Sequence, residues 1–424
     1  MALSSPGAGT AGATPGDASA APAATAPRGP GRGLFPLLLV GNSAMYALYI
    51  GVAGVLLALQ VEDIDPANKV SNFGLIAGVS AIFATVFNPV AGALYDRSGR
   101  RNPWILGGGL AAVPAMFPLG FAHTILLITI AWYLGQAVMN VYQAALTSVV
   151  PDRVPKSARG KASAAVGLGL PLGSTLGALL GAALSQDYRT GYLVFGAIVA
   201  GAAVLFTAGT REERLPARAP MPLKAQLAAF TGALRDHDFR WAFIGRALLV
   251  LGYFAVSGYQ LYILQDHTVL PDGMEPEAAV AVLMPLTSVA MVVSTVLGGY
   301  LSDRLDRRKL FVGASALLSA VALVIPAVSP GWTAMLVFAA VNGLAFGCYT
   351  AVDTALVTMV LPKAEDAARD MGVLNIANAG PQIIAPFIAS VIVSLSGGYT
   401  ALFVVAAVLS VAGALAVKPI RSVR

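Results

Sequence analysis

Long apolar runs separated by short polar turns constrain this chain more than any other feature. Each run comes close to or exceeds the ~20 residues that an α-helix needs to cross a bilayer. A segment inside the bilayer must satisfy its own backbone hydrogen bonds, so these runs predict membrane-spanning helices. The twelve predicted spans cover approximately residues 34–60, 71–94, 103–122, 124–150, 162–184, 190–209, 241–264, 278–300, 310–328, 332–360, 371–395 and 399–417.

The composition agrees with a polytopic membrane protein. Hydrophobic residues make up 57% of the chain and charged residues 11%, whereas a soluble domain carries about 25% charged residues. The single cysteine, Cys348, excludes a disulfide framework, and we expect no metal and no cofactor. The sequence shows no nucleophile–base set and no phosphate-binding loop, so neither an enzyme nor direct use of ATP is expected.

The polar segments divide the chain into two halves. We expect a disordered tail over 1–33, a first six-helix bundle over 34–209, a linker over 210–240, a second bundle over 241–417 and a short terminus over 418–424. Within the linker, Leu223 to Arg235 reads as an amphipathic helix lying in the membrane interface.

Charge predicts the orientation. Of the 27 Lys and Arg residues, only Lys69 and Arg189 fall on the side opposite the N-terminus. Cytoplasmic loops concentrate Lys and Arg, so we expect both termini in the cytoplasm and the protein in the plasma membrane. The positive net charge of +6 is explained by these loops, and no nucleic acid partner is expected.

The two halves also resemble each other in sequence. Asp96 and Asp303 are 207 residues apart, and each lies in a charged turn at the end of a long apolar run. Pro151 and Pro362 are 211 residues apart, and each closes a span before a charged segment. Recurrent offsets of this kind predict an internal repeat, with a cavity between two related bundles.

The first charged turn, Gly92-Ala-Leu-Tyr-Asp-Arg-Ser-Gly-Arg-Arg101, resembles the signature loop of the major facilitator superfamily. A weaker copy begins at Gly299 and has Asp306 where the first has its second Gly. The resemblance implies an all-α membrane fold of twelve helices in two six-helix bundles, with transport by alternating access. It also implies a cytoplasmic conformational lock formed by Gly92, Asp96, Arg97, Gly99, Arg100, Arg101, Asp303 and Arg304. Alternatively, the arginines serve only as topology anchors.

Polar residues inside spans form stripes at helical spacing, and such residues usually face a bundle interior or a cavity. The resemblance implies a cavity lined by spans one, four, seven and ten. Packing and interhelical hydrogen bonding are the alternative roles for these side chains. The candidate substrate-binding residues are Asn42, Tyr46, Tyr49, Asn140, Gln143, Tyr253, Gln260, Tyr349, Asn375 and Asn378.

Arg246 and Asp353 occupy repeat positions that hold Asn42 and Gln143 in the first half. The second half therefore carries an opposite-charge pair where the first carries amides. We expect the two residues to pair, with Asp353 as a proton-coupling carboxylate and Arg246 as its counter-charge. A permanent structural ion pair is the alternative.

Amide and hydroxyl groups favour a neutral polyhydroxylated solute. Residues 142–160 and 349–382 are similar to the sucrose-transporter-like and glycoside-cation symporter-like branches, which implies sugar uptake with protons. No tryptophan is expected mid-span, because Trp104, Trp132, Trp241 and Trp332 all read as near span ends. A drug–proton antiporter is the alternative, and a non-transporting receptor or scaffold is a further one. The expected partners are the bilayer, a small-molecule substrate and a proton, with the protein as a monomer.

Overall fold

The structure, a computed structural model, describes residues 33–78, 80, 98–155, 158–212, 231–360 and 367–422. Residues 1–32 of the predicted tail, residues 213–230 of the linker with the first part of its predicted amphipathic helix, and Gly92, Asp96 and Arg97 lie outside these residues. The described helices are α1 (Leu34–Ile64), α2 (69–78, the start of the second predicted span), α3 (Asn102–Phe121), α4 (Ile125–Arg153), α5 (Arg159–Ala183), α6 (Tyr188–Gly209), α7 (His237–Ser257 continued by Gln260–Asp266), α8 (Pro276–Leu305), α9 (Arg308–Val328), α10 (Trp332–Met359), α11 (Ala367–Ser396) and α12 (Tyr399–Ala416).

Eleven of these helices are long and apolar enough to cross a membrane. The second predicted span begins as helix α2 and continues into residues that the structure does not describe. The predicted all-α membrane fold is therefore confirmed. We call the end of the bundle at which α1 begins the inner end, and the opposite end the outer end.

Helix packing repeats between the halves. In the first half, α1 packs against α5 and α6, and α3 packs against α4 and α6. In the second half, α7 packs against α11 and α12, and α9 packs against α10 and α12. Each contact recurs six helices later. The predicted internal repeat is thus a repeat of helix packing as well as of sequence.

Glycines on α5 let it approach α1 closely. A Cβ on Gly177 would stand 2.5 Å from the carbonyl oxygen of Ala47, and one on Gly173 would stand 2.5 Å from that of Ser43. Small residues permit such backbone contact between membrane helices. The opposite α1 segment, Tyr49–Leu56, is a π-helix, a form that occurs frequently at functional sites.

The two halves meet along α5 and α8. The hydroxyl of Ser288 on α8 donates to the carbonyl oxygen of Pro171 on α5 at 2.9 Å. The hydroxyl of Thr175 on α5 lies 3.0 Å from that of Ser288. This polar contact lies near the middle of both helices and joins the two halves there.

Candidate functional site

A central cavity of about 300 Å³ lies between the two halves. Its described walls come from α1, α2, α4 and α5 of the first half and from α7 and α11 of the second. The prediction from the resemblance was spans one, four, seven and ten. Among the described lining residues α10 contributes none, and α2, α5 and α11 take part instead.

One wall of the cavity is a row of amides on α4. Gln136, Asn140 and Gln143 all line the cavity, because their spacing places them on one face of the helix. The hydroxyl of Tyr49 on α1 donates to Oε1 of Gln143 at 3.3 Å. The Nδ2 of Asn140 donates to the carbonyl oxygen of Gln136 at 2.7 Å. This row offers hydrogen bonds to a solute, and Gln382 on α11 adds a further amide across the cavity.

Aromatic rings form much of the remaining wall. Tyr46, Phe73, Trp132 and Phe254 line the cavity. Trp132 lies about two turns from the start of α4, near a span end as expected, and yet it lines the cavity. Trp132 lies one turn before Gln136 on α4, so extending the amide stripe by four residues would have found it. The described lining residues include no charged side chain, so the cavity suits a neutral solute.

The other predicted residues lie elsewhere. Asn42 is buried against α5 and donates to the carbonyl oxygen of Leu38 at 2.8 Å. Gln260 follows a break in α7 at residues 258–259, which moves it off the face that Ser257 presents to the cavity. Asn378 lies one turn inward of the lining residue Gln382 on α11. The side chain of Asn375 is outside the described part of the chain.

The structure brings Arg246 and Asp353 together. The Nε of Arg246 donates to Oδ2 of Asp353 at 2.6 Å, and a terminal guanidinium nitrogen contacts the same oxygen. Asp353 is only 4% exposed. The pair does not line the cavity. Tyr349, predicted as a substrate contact, is buried beside this pair.

The outer end of the cavity is closed by polar contacts between the halves. The Nζ of Lys69 on α2 lies 2.8 Å from Glu62 of α1 and 2.8 Å from Asp266 of α7. Tyr262 of α7 donates to the carbonyl oxygen of Ala58 at 2.8 Å. Lys69, one of only two cations predicted on this side, therefore joins the two halves.

Nearby, Asp65 organises the turn between α1 and α2. Hydrogen bonds from the side chains of Asn68 and Asn72 lower the pKa of Asp65. The carboxylate therefore stays ionised at neutral pH. It also caps the short helix that precedes Lys69.

At the inner end, the charged turns hold helices of the same half together. Arg101 forms an ion pair with Asp152 at the end of α4, at 2.8 Å and nearly buried. Gly99 has a φ of 63° and Asp306 a φ of 48°, so the weaker copy keeps the left-handed turn without glycine. Asp303 pairs with Arg308 at 2.9 Å, and Arg304 contacts Tyr300. Arg100 lies in the turn itself, where its backbone contacts Ser98.

Two halves with repeated helix packing, joined by polar contacts at the outer end and with a cavity between them, form the architecture typical of a two-bundle membrane transporter. The sequence model of the Major Facilitator Superfamily matches residues 38–267 and 269–423. The chain belongs to this family, as the signature turn predicted.

Relatives with curated descriptions are distant. The chain is 25% identical over 352 residues to the MFS transporter asaE of Aspergillus flavus, which covers 81% of this chain and 76% of that protein. It is 28% identical over 149 residues to the multi-drug resistance efflux pump PmrA of Streptococcus pneumoniae, about a third of either chain.

Solved structures show the same fold. A POT family transporter in complex with a thioalcohol-conjugated peptide superposes with a TM-score of 0.70 at 12% identity, covering 90% of this chain and 94% of that one. A bacterial homolog of the human lysosomal transporter Spinster, inward-facing and unoccupied, gives 0.64 at 16% identity, covering 92% and 95%. At these identities the likeness concerns the fold alone.

Proposed function

We propose that the protein is a secondary active transporter that carries a small neutral solute of the sugar or glycoside class, coupled to protons. The observation that carries this proposal is the wall chemistry of the central cavity. Amides on α4 and α11 and the hydroxyls of Ser80 and Ser257 face a space whose other walls are mainly aromatic and aliphatic, with no charge among the described lining residues. Sugars and glycosides combine hydroxyls, which the amides would bind, with apolar faces that aromatic rings can cover.

Coupling is assigned to Asp353, with Arg246 as its counter-charge. A buried carboxylate in the membrane is stable as an ion only while it is paired. Protonation would neutralise Asp353 and release Arg246 from the ion pair, which changes the contact between α7 and α10. The alternative of a structural pair predicts loss of folding, rather than loss of coupling, when Asp353 is replaced by asparagine.

The Lys and Arg distribution supports an inner end that faces the cytoplasm, and a location in the plasma membrane. Both termini would then be cytoplasmic. The outer contacts around Lys69 would face the outside of the cell.

Uptake of a panel of labelled mono- and disaccharides into proteoliposomes tests the solute class. For a saccharide that is taken up, Gln143→Leu and Trp132→Ala should each raise KM about tenfold, since each removes a contact worth about 1.4 kcal/mol. Gln186→Leu, on the exposed outer surface, is the matched control and should leave KM unchanged. Absence of uptake of every saccharide by folded protein would contradict the sugar assignment.

A second candidate is export of lipophilic compounds. An apolar crevice of about 670 Å³ lies between α2, α7 and α11, and Ile383 lines both this crevice and the central cavity. The likeness to a protein named as a multidrug efflux pump also favours this function. Efflux of a lipophilic fluorescent dye that slows in Ile383→Trp, without competition from saccharides, would support it over sugar uptake.

A further inference from the structure

We propose that four aromatic rings on α7 and α10 form a barrier between the solute cavity and the Arg246–Asp353 pair, and that cavity occupancy controls proton access through it. The rings belong to Tyr253, Phe254, Phe346 and Tyr349. This inference rests on the proposed coupling role of Asp353 and adds the residues that would make coupling obligatory.

The two helices carry the pair and the rings in matching register. Tyr253 follows Arg246 by seven residues on α7, and Phe346 precedes Asp353 by seven residues on α10. Seven residues are about two helical turns, or ~10 Å of rise, so each ring shares the face of its charged partner. Because α7 and α10 run in opposite directions through the bundle, the rings form one layer on the outer side of the pair.

The four rings of this layer pack closely against one another. The rings of Tyr253 and Phe346 are stacked, with centroids 3.7 Å apart and planes 13° apart. Phe254 meets Tyr253 edge-on at 5.2 Å and Phe346 at 6.2 Å. Tyr349 continues the layer inward, with its ring 6.4 Å from that of Phe346. Stacked rings exclude water, so in this conformation the layer separates Asp353 from the cavity.

Phe254 contacts both the solute cavity and the aromatic layer. It lines the cavity and also touches both stacked rings. A solute that displaces Phe254 therefore disturbs the Tyr253–Phe346 stack and admits water to the pair. A hydronium ion can then transfer its proton to the Asp353 carboxylate, and the neutral acid no longer holds Arg246. When the ion pair with Arg246 re-forms, Asp353 releases the same proton to water on the opposite side of the membrane.

Among the described residues, the groups that face Asp353 are the guanidinium of Arg246 on α7 and the hydroxyl of Tyr349 on its own helix. Tyr349 is buried, and it stands between Phe346 and the carboxylate along α10. Removing one ring of the stack should therefore open the route to the carboxylate while both members of the ion pair remain in place.

A proton-leak measurement without solute tests the barrier. The purified protein is placed in liposomes that contain a pH-sensitive dye, and an inward pH gradient is imposed. We expect Phe346→Ala to raise proton flux about tenfold over wild type, as when a barrier falls by about 1.4 kcal/mol. Phe338→Ala is the matched control on the same helix. Its ring contacts Phe403, with centroids 6.1 Å apart, and its flux should stay at the wild-type level.

The double variant Phe346→Ala/Asp353→Asn identifies the route of the leak. Flux that returns to the wild-type level places the leak at Asp353, as we expect, whereas flux that persists overturns the proposal. Wild-type flux in folded Phe346→Ala also overturns it. If that variant does not fold, Phe346→Leu and Tyr253→Leu serve in its place, and wild-type flux in both contradicts the barrier. Coupled solute uptake that is unchanged in Asp353→Asn would instead refute the proposed function, whatever the leak shows.

Discussion

The Nζ of Lys69 lies 2.8 Å from Oδ1 of Asp266, and this contact ties the first half of the transporter to the second at the outer end. The same ammonium contacts Glu62, whose second carboxylate oxygen accepts from Gln265 at 2.6 Å. Asp266 also accepts a hydrogen bond from Tyr399 at 3.0 Å. The alternating access that the family resemblance implies would require this cluster to break whenever the outer end opens.

Replacing Lys69 by methionine should favour outer opening. A partly exposed ion pair is worth about 1 kcal/mol, so the open population should rise about fivefold. A single cysteine at Ser257, which lines the cavity, can report this in a Cys348→Ser background. Its labelling by an impermeant maleimide added from outside should accelerate by the same factor. Lys69→Arg should label as wild type, and equal rates for all three proteins would exclude an outer closure held by Lys69.

Gln60 should be needed for stability of the first half. Its Nε2 donates to the carbonyl oxygens of Leu119 and Ala122, each at 2.9 Å. Its Oε1 accepts from the hydroxyl of Tyr192 at 2.6 Å. Gln60→Leu removes all three hydrogen bonds, although the carbonyl oxygen of Leu119 keeps the one from the backbone amide of Ala122 at 3.2 Å, and the loss should cost about 2–4 kcal/mol. Thermal unfolding in detergent should show a clear fall in Tm, and an unchanged Tm would refute this network as a stabilising one.

The close contact between α1 and α5 can be tested with one methyl group. Gly177→Ala places a Cβ 2.5 Å from the carbonyl oxygen of Ala47 and should cost about 1–3 kcal/mol through overpacking. Gly167 on the same helix has nothing within 4 Å of such a Cβ. Gly167→Ala should therefore be neutral or stabilising, by up to about 1 kcal/mol, through helix propensity. Equal losses of Tm in the two variants would contradict the packing argument.

Much of the fold could be predicted from sequence because bilayer thickness and backbone hydrogen bonding leave few choices. The 207-residue offset between Asp96 and Asp303 indicated the repeat that helix packing now shows. The same offset relates Gly99 to Asp306, whose backbones share the left-handed conformation. Asp tolerates this conformation better than most residues, which explains how the second turn survives without glycine.

The site was harder to predict, because helical periodicity defines a face and not its neighbour. Tyr253 on α7 stacks on Phe346, and Tyr349 on α10 lies beside the ion pair. Neither side chain lines the cavity. The break in α7 after Ser257, which no proline marks, removed Gln260 from the predicted stripe. Aromatic lining residues such as Phe73 and Phe254 carry no polar signal, so a search for polar stripes could not find them.

The most direct test of the account is solute-driven proton movement in proteoliposomes, measured with wild-type protein and Asp353→Asn. With a transported saccharide, wild-type protein should acidify the lumen as the solute enters. Asp353→Asn should still exchange labelled for unlabelled saccharide across the membrane, but without any solute-driven pH change. Solute-driven acidification that is equal in the two proteins would contradict proton coupling through the Arg246–Asp353 pair.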